Sequence, residues 1–296
     1  MCGLVLAAVA LCVSTSPQSA GARPERTGHR AALPSVLHLV DESRTIRLPG
    51  GRRVARPLTT HLWYPPAVEG NRPWPLVVFG HGFATTPFRY ERLLRAWAAA
   101  GYLVAAPVFP LGNANAPGGP DESDIVNQPR DMSFVITQLL AASASAESPL
   151  HGLVDRERIA LAGQSDGAET AFAAAYERPW HDVRVRAALI LSGAQLGHHV
   201  RLVSHTAPLL AVQGTADRIN PPVYSLELFR AVGRPKFLLL LRGAGHLGPY
   251  TGASSRLAAV ERVSIAFLGH YLGTGPLGAI ARAAAPFPAD TLRSDP

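Results

Sequence analysis

Two kinds of hydrophobic pattern divide the chain. From Ser43 to Pro66, "SRTIRLPGGRRVARPLTTHLWYPP", apolar and polar positions alternate on either side of Pro49-Gly50-Gly51. A period of two broken by a Pro-Gly turn predicts two antiparallel strands at a sheet edge. Beyond the Pro-rich linker at 65–75 the alternation stops. Six apolar runs without polar alternation recur: "PLVVFG" (75–80), "GYLVAAPVF" (101–109), "RIALAG" (158–163), "RAALILSG" (186–193), "APLLAVQG" (207–214) and "KFLLLL" (236–241). Between them lie helical stretches at 90–100, about 127–142, 168–176, 222–232 and 254–271.

Strands with no polar face need cover on both sides, which a parallel sheet flanked by helices supplies. Strand and helix in alternation therefore predict an α/β fold: a doubly wound, mostly parallel sheet with an antiparallel N-terminal edge. The catalytic domain is expected at 44–272, preceded by an extended lead-in at 23–43. The Ala- and Pro-rich tail at 273–296 shows no element. Gly193–Thr206, which joins two of the strands, is too short for a helical lid, so no cap domain is expected. In such sheets chemistry gathers at the carboxyl ends of the strands.

One strand end carries "GQSDG". Ser165 follows the apolar run 158–163 and opens a helix, the context of a G-x-S-x-G nucleophile elbow. At Gly163 and Gly167 a side chain would strike the neighbouring strand or helix. A mere helix cap would explain one polar residue here and would not call for both glycines. Asp217 lies just past the run ending at Gly214, and His246 lies in a Gly-flanked loop past the run ending at Leu241. Serine, acid and histidine thus follow in the chain order that this architecture requires. An oxyanion needs two backbone N–H donors. These are expected from Asp166, the residue after the serine, and from Phe83 in "GHGF" (80–83). His81 reads as structural. Phe83, Phe109 and Gln164 are expected to line the substrate cleft. The Asp166 carboxylate is expected to point away from the site, since it would oppose the oxyanion's charge.

Over about residues 40–272 the chain resembles the α/β-hydrolase superfamily, on the motifs "GHGF", "GQSDG", "QGTADRINP" (213–221) and "GAGH" (243–246). Within it, the chain is similar to secreted bacterial esterases near the cutinase and polyesterase, dienelactone-hydrolase-like and platelet-activating-factor acetylhydrolase groups. The resemblance implies a serine carboxylic-ester hydrolase acting on short to medium acyl esters or polyesters. Ser165 is then the nucleophile, His246 the general base and acid, Asp217 its orienter, and the Phe83 and Asp166 amides the oxyanion donors. Gln164 and Asp166 stand where many cutinases have His and Met, and the serine stands where true dienelactone hydrolases use cysteine. An acyltransferase with an alcohol or sugar acceptor would share the triad. A non-catalytic binding module would lack one of its members, and all are present.

Composition trims the remaining possibilities. Hydrophobic residues make up 47% and charged residues 17%, a globular balance. The net charge of +7 comes almost wholly from scattered arginines, with Lys236 the single lysine. No basic helix or interleaved aromatics accompany them, so nucleic acid is not an expected partner. Cys2–Val13 is apolar and uncharged, and Ala20-Gly21-Ala22 fits a small-x-small cleavage site, so residues 1–22 read as a signal peptide and the protein as secreted. That run is shorter than the ~18 residues of a membrane span, so no anchor is expected. Both cysteines, Cys2 and Cys12, lie inside it. The adjacent His198 and His199 diverge and lack a third ligand, so neither metal nor cofactor is expected. The expected partner is an ester substrate, met by a monomer.

Overall fold

The computed structural model describes residues 35–66, 72–194, 201–204 and 206–296. The expected signal peptide, both cysteines and the His198-His199 pair lie outside the described residues. The alternating N-terminal segment forms β1 (Val36–Arg47) and β2 (Arg53–Trp63), antiparallel about a turn in which Gly50 and Gly51 take φ of 81° and 87°. The apolar runs form β3 (Trp74–Gly80), β4 (Leu103–Pro107), β5 (Val154–Gln164), β6 (Val185–Leu191), β7 (Leu209–Gly214) and β8 (Lys236–Leu241). Helices α1 (Glu91–Ala99), α2 (Gln128–Ala144), α3 (Asp166–Tyr176) and α4 (Pro222–Ala231) fall between strands. After β8 come α5 (Gly248–Thr251), α6 (Ser255–Tyr271), α7 (Gly278–Ala284) and β9 (Thr291–Asp295).

The nine strands form one sheet in the order β1-β2-β4-β3-β5-β6-β7-β8-β9. From β4 to β8 neighbours pair in parallel; β1, β2 and β9 run antiparallel to theirs. β3 shows how a continuous apolar run serves two cores. Val77 and Phe79 face the layer of α1 and α6, with Trp97, Val263 and Phe267. Leu76 and Val78 face the layer of α2 and α3, with Met132, Ile136 and Phe172. Every residue of β3 is buried. Trp97 Nε1–H donates to Ser264 Oγ at 2.8 Å and ties α1 to α6. Alanines 168, 171, 174 and 175 of α3 are fully buried, and their small size lets that helix lie close on the sheet.

Two boundaries differ from the sequence reading. β1 starts at Val36, inside the expected lead-in, because Leu37 and Leu39 already pack on the sheet. The tail expected to be structureless carries α7 and β9, and β9 pairs with β8 from Lys236↔Asp295 to Leu240↔Thr291. Its sequence, "TLRSD", holds one apolar residue, so its stability as a strand comes from the edge it joins and not from its own pattern. Among the described residues no helix is long and apolar enough to cross a membrane.

Candidate active site

Parallel pairing brings the ends of β3, β5, β7 and β8 to the same rim of the sheet, and the functional side chains lie just beyond those ends. At the end of β5 the chain turns into α3 within one residue. Ser165 takes φ +56° and ψ −125°, a conformation that L-residues avoid and that surrounding packing must impose. The glycines on either side make that packing possible. A Cβ on Gly163 would lie 1.9 Å from the Gly167 carbonyl oxygen, and one on Gly167 would lie 2.0 Å from that of Gly80.

Ser165 Oγ lies 2.9 Å from His246 Nε2, and His246 Nδ1 lies 2.8 Å from Asp217 Oδ2. The Asp217 side chain is wholly buried. Its Oδ1 accepts from the Ile219 and Asn220 amides at 3.0 and 2.9 Å, and its Oδ2 also accepts from Gln213 Nε2 at 3.2 Å. These donors leave the carboxylate one geometry, in which it takes the Nδ1 proton. The Nε2 lone pair then faces the serine hydroxyl, as a general base requires.

Beside this line, Phe83 and Asp166 border a cleft. His81 Nε2 accepts from Phe109 N–H at 3.0 Å, which places the imidazole proton on Nδ1, where it donates to Gly82 O at 2.8 Å. Thr85 Oγ1 donates to the same oxygen at 2.8 Å. Because a trans peptide holds C=O and N–H in opposite directions, fixing the Gly82 carbonyl also fixes the direction of Phe83 N–H. His81 is buried, and desolvation pushes its pKa down to about 4 against the opposing bond to Gly82, so it stays neutral in this role. Among the described residues, neither Phe83 N–H nor Asp166 N–H donates to another residue.

The cleft has a volume of about 340 Å³. Its lining includes the apolar Phe83, Ala194, Ile219 and Leu247 and the acidic Glu122, Asp166 and Glu169. Two expectations change here. Phe109 does not line the cleft: it is fully buried, its ring 4.9 Å from that of His81. Asp166 is among the residues lining the cleft, with its Oδ2 closed to solvent. Burial first and the Glu122 charge second push its pKa up to about 6, against the pull of its own amide. Gln164 borders the cleft, yet its polar atoms are taken: Oε1 accepts from Tyr90 O–H at 2.6 Å and Nε2 donates to His246 O at 3.2 Å.

Tyr90, Glu122 and Ile219 were not singled out by the sequence. Glu122 lies in the long polar segment 112–124, and Tyr90 opens a helix with nothing local to tell it from core.

Residues 44–194 match the chlorophyllase family, just over half of the chain. The chain belongs to that family. This member is an α/β-hydrolase, as its motifs led one to expect, and the family match ends before Asp217 and His246, which the fold brings back to Ser165. Among solved structures it is similar to a ferulic acid esterase from Streptomyces cinnamoneus, with a TM-score of 0.68 and 21% identity over 87% of this chain and 94% of that one. At that identity the likeness speaks for the fold. No protein of curated function matches this chlorophyllase-family chain.

Proposed function

We propose that the protein is a serine carboxylic-ester hydrolase that works through an acyl-enzyme on short to medium acyl esters. The observation that carries the reading is the continuous line from Asp217 through His246 to Ser165, at 2.8 and 2.9 Å, opening onto the cleft that Phe83 and Asp166 line. In this reading His246 Nε2 takes the hydroxyl proton as Ser165 Oγ attacks the ester carbonyl carbon. The oxyanion accepts from the Phe83 and Asp166 amides, each donor contributing roughly 3 kcal/mol. His246 then gives its proton to the departing alkoxide, leaving the acyl-enzyme. Water, deprotonated by the same nitrogen, attacks the acyl carbon and releases the acid. A cleft of about 340 Å³ suits a substrate of modest size.

Hydrolysis of p-nitrophenyl esters from acetate to palmitate, by the protein and by Ser165→Ala, tests the reading. The expected result is an optimum among the shorter chains and a loss of at least ~10³-fold in kcat in the variant. Equal rates in the two proteins would overturn it.

A further inference from the structure

The chain carries a net charge of +7, yet its cleft has the opposite sign. Glu122, Asp166 and Glu169 border it, and among the described lining residues there is no lysine or arginine. Asp166 is the telling member. It is 8% exposed, and its Oδ2 has no hydrogen-bond partner in the protein. A buried carboxylate oxygen left without a donor costs free energy that an apolar or amide side chain would avoid. The α3 N-terminus at which it sits offsets only part of that cost. Nor does the reaction explain it, since a negative charge beside the oxyanion opposes hydrolysis. A ligand that brings a positive charge into the cleft would turn that uncompensated charge into attraction, acting across a short distance because Oδ2 itself is closed to solvent. Phe83, Ile219 and Leu247 in the same lining would hold an apolar remainder.

We propose that the acidic wall of Glu122 and Asp166 is an ammonium subsite, and that the preferred substrates are esters carrying a protonated or quaternary amine. The inference rests on the esterase reading above, and its test separates the two. Acid release at about pH 8 is followed for two pairs matched in shape: acetylcholine against 3,3-dimethylbutyl acetate, and methyl 6-aminohexanoate against methyl heptanoate. The first places the charge on the alcohol, the second on the acyl chain. In at least one pair, the charged ester is expected to have a kcat/KM about tenfold higher or more, the gain falling several-fold as ionic strength rises from about 0.02 to 0.5 M. Asp166→Asn and, on the exposed 3-10 turn, Glu122→Gln are each expected to shrink the ratio between the paired esters. Charged and neutral esters hydrolysed equally would overturn the subsite and leave the esterase standing. A preference that survives both substitutions would do the same. Hydrolysis of none of the four, nor of p-nitrophenyl acetate, would overturn both.

Discussion

Gln164 is buried to 1% exposure between the nucleophile's strand and the histidine's loop, and it spends both ends of its amide on protein. Tyr90 O–H holds the oxygen, and the nitrogen holds the His246 carbonyl. Its sequence position beside Ser165 suggested substrate contact; its bonds make it a positioning residue for the base. Gln164→Ala should therefore lower kcat by about ten- to a hundredfold through misplacement of His246, with KM little changed. Steady-state kinetics on one p-nitrophenyl ester reads this split, and a variant changed only in KM would restore the substrate-contact view. Residue types and spacing made Ser165, Asp217 and His246 legible because the elbow needs glycines on both sides and each partner follows a recognisable strand end. Phe109 was misread because a phenylalanine past a strand end looks alike whether it walls a cleft or fills a core. Only the His81 ring packed against it decides.

Between single residues and the sheet stands the segment that carries Glu122 to the cleft. Its 3-10 turn, Glu122–Asn127, is fastened by Arg56 on β2, which is 2% exposed. Arg56 meets Asp124 through Nη1 at 2.9 Å and Nη2 at 2.6 Å, and Asp131 on α2 through Nε at 2.7 Å and Nη2 at 2.6 Å. One guanidinium so joins β2, α2 and the 3-10 turn that leads into α2. Removing it leaves buried Asp124 without a cation and buried Asp131 with Arg44 alone, 2.7 Å away, so Arg56→Ala should cost about 3–5 kcal/mol in a urea titration. Replacing Arg56, Asp124 and Asp131 together by apolar residues of similar volume should recover most of that loss; a loss as large as that of the single variant would refute the clamp. None of this could be read from the sequence, where Arg56 is one arginine in an alternating strand. The same limit hid α7 and β9. A polar five-residue strand becomes one by completing the β8 edge, and that edge exists only once the sheet is built.

At the scale of the whole molecule, the buried ionisable groups pull stability in opposite directions as pH changes. His81, lowered to about 4, refuses a proton that the unfolded chain accepts near its ordinary value of 6.5, so through that group stability falls as pH drops below about 6.5. Asp166 works the other way. With its folded value raised from 3.8 to about 6, mainly by burial, the native state holds a proton that the unfolded chain has already released. Its contribution is present at low pH and lost as pH rises from about 4 through 6, leaving an ionised carboxylate that disfavours the fold. Asp166→Asn removes that term alone. The variant should gain little over the parent at about pH 4 and about 2–3 kcal/mol at about pH 8, read as the difference between urea midpoints at the two values. A gain that does not grow with pH would mean that Asp166 stays well solvated, and the case for a waiting cation would weaken with it. A gain that does grow would mean that the protein keeps a group that weakens its own fold beside its nucleophile, as proteins do where a site needs what stability does not.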